Sequence, residues 1–119
     1  MNKRTVGTEY EQKAVEYLKS RGYFIIERNF RCKSGEIDLI AKHENYLVFI
    51  EVKYRKNSTK GSPEEAVTLS KIRTISKVAD YYRLRYGYGE DTPCRFDVIA
   101  ILGNEIRLYE NAFLYRSFD

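Results

Sequence analysis

Between Tyr23 and Tyr54 three strand-like runs follow one another almost without a break: "YFIIERNFR" over 23–31, "EIDLIAKH" over 36–43 and "YLVFIEVKY" over 46–54. Only "CKSG" separates the first two, and only Glu44-Asn45 the second and third. Links this short join neighbouring strands as antiparallel hairpins, because a parallel partner needs a crossover of about a dozen residues or more. The middle of the chain is therefore committed to a three-stranded meander. Helical patterns flank it. Tyr10, Ala14, Tyr17 and Leu18 recur at helical spacing between Gly7 and Arg21, with Thr8 placed to cap that helix and Gly22 to stop it. After the meander, "SPEEAVTLSKIRTISKVADYYRLRYG" predicts a long helix from Pro63 to Tyr86. Ser62 fits its N-cap, Pro63 its first position and Glu65 a capping box. Ile72, Ile75, Ala79, Tyr82 and Tyr86 form its inward stripe. "RFDVIAIL" (95–102) is a fourth strand, and "EIRLYE" (105–110) returns through Gly103-Asn104. A helix linking strand three to strand four makes those two parallel. The expected architecture is an α/β fold, a mixed sheet with flanking helices, in one domain spanning residues 1–119.

Composition narrows the functional classes. With 43% hydrophobic and 32% charged residues the chain is neither disordered nor membrane-embedded. No apolar run approaches the roughly 20 residues of a spanning helix. The opening "MNKRTVGTEYEQ" lacks the apolar core of a secretion signal. Cys32 and Cys94 are too few and too distant in sequence for a zinc site or a disulfide framework, and read as small apolar fillers. These features predict a cytoplasmic protein. Lys and Arg number 21 against 17 Asp and Glu, a net charge of +4. That excess suits a polyanionic partner without requiring one. "KYRKNSTK" concentrates Lys53, Arg55, Lys56 and Lys60 with no acid among them, although a lone basic loop is usually a solvated face.

The chemistry concentrates on two strands. In "GEIDLIA" Glu36 and Asp38 share one face by simple alternation, and Ile37, Leu39 and Ala41 the other. In "VFIEVKYR" Glu51 and Lys53 lie two apart and project together from the end of an apolar run. If the strands pair through the turn at Glu44-Asn45, residues whose numbers sum to 89 lie opposite each other. Asp38 then faces Glu51, and Glu36 faces Lys53. Two opposed carboxylates repel, and buried charges are unfavourable unless paired or bound to a metal. Lys53 offsets one acid of three. A divalent cation on Asp38 and Glu51 would balance the remainder, and Mg²⁺ suits a site with one or two carboxylates completed by water and phosphate. A bare E-x-K is weak evidence, since apolar strands often end in charges. Its pairing with "GEID" on the adjacent strand is far more specific.

Other residues carry two readings each. Glu11 lies at the margin of the core-facing side of the first helix, and Thr8-x-x-Glu11 is also a capping box. Lys71 and Ser70, near the start of the long helix, read as solvent-facing or as phosphate contacts. His43, beside a turn, reads as a surface residue. Asp97 reads as a structural partner of Arg95. The tyrosines could stack on bases, but Tyr10, Tyr17 and Tyr82 fit core positions first.

This combination resembles the PD-(D/E)XK nuclease superfamily with its restriction-endonuclease-like αβββαβ core. Within it the chain is similar to the uncharacterised bacterial YraN-like family, predicted endonucleases distantly related to archaeal Holliday junction resolvases. The matching stretches are Gly22-Tyr23, "ERNFRC", "GEIDLIA", "VFIEVKYR", "GSPEEAV" with Lys71, "RFDVIAI" and "NAF" at 111–113. The family more often shows Gly-Glu where this chain has Tyr10-Glu11, and Thr where it has Tyr54. Ile37 stands where the superfamily name places proline. The resemblance implies a DNA endonuclease using Mg²⁺ or Mn²⁺, with Asp38 and Glu51 holding the metal and Glu11 completing the acidic cluster. Lys53 would meet the scissile phosphate or the attacking water, while Arg55, Lys56, Lys60 and Lys71 would grip the backbone of DNA. Contacts of that kind carry no sequence information, which suits recognition of DNA shape such as a branch. Symmetric cleavage of a junction would require a homodimer. The rival reading is a non-catalytic nucleic-acid-binding module on the same fold. A third, an interaction protein with Glu51 and Lys53 as a structural pair, leaves Glu36 and Asp38 unexplained.

Overall fold

The computed structural model describes residues 3–55 and 67–115, with residues 3–8 described by their backbone. Its elements run α1 (Lys3–Ser20), β1 (Phe24–Cys32), β2 (Gly35–His43), β3 (Tyr46–Arg55), α2 (Leu69–Arg85), β4 (Cys94–Leu102) and β5 (Glu105–Tyr109). One five-stranded sheet forms in the order β1-β2-β3-β4-β5. β3 and β4 are parallel and every other neighbouring pair is antiparallel. The mixed sheet and the αβββαβ order agree with the expectation, and β5 pairs back on β4 as an edge strand.

Local chemistry explains the boundaries. α1 ends in a Schellman motif: the Gly22 amide donates to the Lys19 carbonyl and the Tyr23 amide to the Leu18 carbonyl. Gly22 has φ 89, a conformation costly for residues with a Cβ. The β2–β3 hairpin turns on Glu44 at φ 56, the left-handed backbone that matches the strands' right-handed twist. Pairing on either side runs Leu39↔Ile50, Ile40↔Phe49, Ala41↔Val48, Lys42↔Leu47 and His43↔Tyr46, the register in which residue numbers sum to 89.

Both helix starts differ from the expectation. α1 begins at Lys3, so Thr8 lies inside the helix rather than at its cap. α2 begins at Leu69, and Val67 and Thr68 are not helical. Thr68 is the N-cap, with extended backbone and its hydroxyl accepting the Lys71 amide at 3.2 Å. Ser62, Pro63 and Glu65 lie outside the described residues.

The helices cover opposite faces. Ala14, Val15 and Leu18 of α1 pack with Tyr23, Leu39, Ala41, Val48, Ile50, Ile99 and Ile101. On the other face Ile75, Val78, Ala79 and Tyr82 of α2 pack with Ile37, Ile40, Leu47, Phe49 and Phe96. Each fully buried aliphatic or aromatic side chain contributes about 1.5–3 kcal/mol. Covered on both sides, β3 is buried from Leu47 to Glu51 and β4 along most of its length, so β3 reads as an apolar run instead of an alternation. The α2 stripe is centred differently from the prediction. Val78 and Ser76 are buried within it, Ile72 is half-buried, and Tyr86 is 49% exposed. Tyr10 and Tyr17 sit at the margin of the α1 cluster instead of inside it. Cys32 and Cys94 are free thiols packed partly against the α2 cluster. No described helix is long and apolar enough to cross a membrane.

Candidate functional site

The paired ladder between β2 and β3 ends at Leu39↔Ile50. Beyond it the backbone pairing gives way to side chains. Asp38 Oδ2 accepts the Val52 amide at 2.8 Å, so this carboxyl turns edge-on toward β3. It also stands within hydrogen-bonding reach of Glu51, and Glu51 is only 6% exposed. Burial, reinforced by the hydrogen bond and the negative charge of Glu51, pushes Asp38 up to about 8. Near neutrality the Asp38 carboxyl therefore holds its proton more tightly than an ordinary aspartate does. The Val52 amide and the positive charge of Lys71 pull Asp38 back without overcoming burial. Lys71, on the first turns of α2, places its Nζ 3.4 Å from Glu51 Oε2.

The remaining predicted residues are distributed around this pair. Lys53 follows Glu51 by two on β3 and makes no ion pair with another described residue. Glu36 is not its partner: Glu36 Oε2 takes Arg31 Nε at 3.1 Å across the β1–β2 pairing. The reason is a break in alternation. Ile37 and Ile40 both pack under α2 while Leu39 packs under α1, so simple alternation does not hold through Asp38.

Glu11 belongs to the opposite helix. Its Oε1 accepts Arg28 Nε and Asn29 Nδ2, both at 3.0 Å, instead of closing a capping box. Arg28↔Leu39 and Phe30↔Ile37 flank Asn29, which puts Glu11's anchor one strand away from Asp38. Among the described residues no three His, Cys, Asp or Glu side chains gather closely enough to hold one ion together. The pair alone is left as a metal-binding unit. Two hard carboxylates with a surplus of negative charge fit Mg²⁺ in its usual protein mode, where water and phosphate fill the other positions. Arg55 Nη1 turns back to the Tyr54 carbonyl at 3.0 Å. Lys56 and Lys60 lie outside the described residues.

A second polar cluster gathers around Asp97, whose register partner on β3 is Ile50. Asp97, with no exposed surface, receives Arg95 Nε and Nη2 at 2.9 Å each, the Tyr23 hydroxyl at 2.7 Å and the Asn111 amide at 2.9 Å. Burial is the largest influence on both partners. It raises the Tyr23 hydroxyl, helped by Asp97. It opposes the charge on Arg95, but the hydrogen bond to Asp97 prevails and carries that guanidinium upward. His43 is not the surface residue expected. Its side chain is 12% exposed, stacks on Tyr23 at 4.0 Å and accepts Arg95 Nη2 at Nδ1 at 2.8 Å. Because a guanidinium only donates, the ring proton sits on Nε2. The signal was present, since His43 shares strand parity with the core residues Leu39 and Ala41. The Lys71–Glu51 contact had no comparable signal, because it depends on where α2 crosses the sheet.

The model of the uncharacterised protein family UPF0102 matches residues 10–101. A UPF0102 protein of Lachnoclostridium phytofermentans is 53% identical over 113 residues, covering 95% of this chain and 96% of the relative. Another, of Caldicellulosiruptor saccharolyticus, is 46% identical over 119 residues, covering 95% of this chain and 100% of the relative. A third, of Clostridium botulinum, is 45% identical over 116 residues, covering 92% of this chain and 94% of the relative. With the match spanning both carboxyls, Lys53, Lys71 and the Asp97 cluster, the chain belongs to the UPF0102 family.

Proposed function

We propose that the protein is a Mg²⁺-dependent endonuclease acting on DNA phosphodiester bonds. The observation that carries this reading is the close Asp38–Glu51 pair, with Glu51 buried and Asp38 half-buried, lying against Lys71 where the β2–β3 ladder opens. A structural salt bridge would have matched one acid to one base. Here two acids crowd together at a strand end, an arrangement unfavourable for folding alone. Asp38 and Glu51 would hold the ion, which when bound supplies a Lewis acid for a phosphate oxygen and lowers the pKa of water. The chain's own groups prepare the rest. Lys53 and Lys71 bring two ammonium groups to the same strand end, where they stabilise charge developing at phosphorus. The Val52 amide fixes the orientation of Asp38. Glu11, locked by Arg28 and Asn29, holds β1 against α1 beside Asp38 and supports its position.

The test is cleavage of linear, plasmid and four-way-junction DNA with Mg²⁺ or Mn²⁺. Asp38→Ala and Lys53→Ala are each expected to lower the rate at least 100-fold, roughly the scale of losing an electrostatic stabiliser. Cleavage that survives both substitutions would come from a contaminant. Binding of DNA without cleavage of any substrate would establish the non-catalytic module instead.

A further inference from the structure

The β1–β2 turn and α2 enclose a second feature that the catalytic reading leaves unused. Gly35 approaches the helix so closely that a Cβ there would lie 2.6 Å from Thr74 Cγ2 and 3.5 Å from Val78 Cγ2. This contact holds the Lys33-Ser34 turn against α2. Between them lies a groove of about 200 Å³ lined by Ser34, Ser70, Arg73, Thr74 and Lys77. Its lining comprises two cations and three hydroxyls, with neither an acid nor a large apolar side chain. A solvated helix face of a mixed-charge protein has no reason to gather that composition into a concavity. At about 30 Å³ per water the space would hold roughly six waters, enough for a phosphate and its remaining hydration.

Its position matters as much as its chemistry. Thr74 follows Lys71 by three residues, a rise of about 4.5 Å along α2. Gly35 precedes Asp38 by three, about 10 Å along β2. With about 3.4 Å per nucleotide along a duplex strand, the groove lies roughly one to three nucleotides from the carboxyl pair.

We propose that this groove is a phosphate-binding site for the nucleic-acid backbone, seating a phosphate of the substrate strand next to the cleaved one. The proposal rests on the nuclease reading for its substrate but not for its test, because binding is measured without cleavage. Labelled duplex and four-way-junction DNA are titrated with the full chain in EDTA over a range of KCl concentrations. The double variant Arg73→Gln/Lys77→Gln is expected to bind several-fold more weakly and to lower the log–log salt slope by about 2, one for each cation removed from the phosphate. The charge-matched double variant Lys13→Gln/Lys19→Gln, on the other helix, is expected to leave the slope unchanged. Equal losses in both variants would reduce the effect to net charge and overturn the site, as would an unchanged slope in the first. Failure of the wild-type chain to bind either DNA would overturn the groove, while the nuclease reading is decided separately by the Mg²⁺-dependent cleavage assay. Binding that responds as expected without Mg²⁺-dependent cleavage would sustain the groove and remove the nuclease.

Discussion

A carboxyl pushed up to about 8 makes Asp38 a reporter of its own surroundings. Its folded value lies above the ordinary 3.8, so the folded state binds this proton more tightly than the unfolded chain does. The contribution of this carboxyl to stability is therefore greatest below about pH 4, declines as pH rises from about 4 to 8, and levels off above that. In Asp38→Asn this contribution disappears. The variant is expected to be more stable than wild type at pH 8 by about 3 kcal/mol and nearly equal to it at pH 4, as read from urea unfolding. Parallel stability curves for the two proteins would show that burial and Glu51 do not act on Asp38. Because an ion on the pair must displace the Asp38 proton, added Mg²⁺ is expected to raise Tm more at pH 8 than at pH 6. That "GEID" and "IEVK" would meet was legible in the sequence, since one turn aligns them. The displacement of Glu36 was not. Glu36 lies opposite Arg31 and alternation fails between Ile37 and Ile40, which nothing in a simple pattern of polar and apolar residues reveals.

At the level of elements, the contact between Gly35 and α2 is the most demanding. Gly35 has φ 148, and any side chain there meets Thr74. Gly35→Ala is expected to destabilise the protein by about 2 kcal/mol, from backbone strain and the collision together. Gly35→Ala/Thr74→Ser removes the offending methyl and should recover about half of that stability in urea unfolding. The helix boundary offers a milder test. Thr68→Ala removes the N-cap of α2 and should cost about 1 kcal/mol. The hairpin register was predictable because Glu44-Asn45 leaves one arrangement that keeps the apolar faces inward. The helix start was not. Ser62 and Pro63 form an attractive start signal, but Thr68 supplies a cap too, and propensity alone cannot rank two competing starts.

For the molecule as a whole, the Asp97 cluster links the beginning of β1, the end of β2, the beginning of β4 and the chain just beyond β5. Asp97→Ala would leave the buried Arg95 guanidinium with only the longer contact to Glu110, at 3.7 Å, as a charged partner, and is expected to cost about 3 kcal/mol. Tyr23→Phe removes one hydrogen bond from the same centre and should cost about 1–2 kcal/mol. Sequence reading identified the Arg95–Asp97 pair but not its reach, because Tyr23, His43 and Asn111 arrive from distant parts of the chain. The same distance hides Lys71 beside Glu51. Short-range pattern gave the strands and their pairing, whereas contacts between layers required the helices in place. The irregularities of β1 have one more consequence. This strand lies at an open edge of the sheet, yet its register shifts between Ile25 and Glu27 and its backbone reverses hand at Asn29. Two interruptions within nine residues leave no straight row of unpaired amides for a stray strand to extend. The two interruptions thus make this edge a poor template for edge-to-edge pairing.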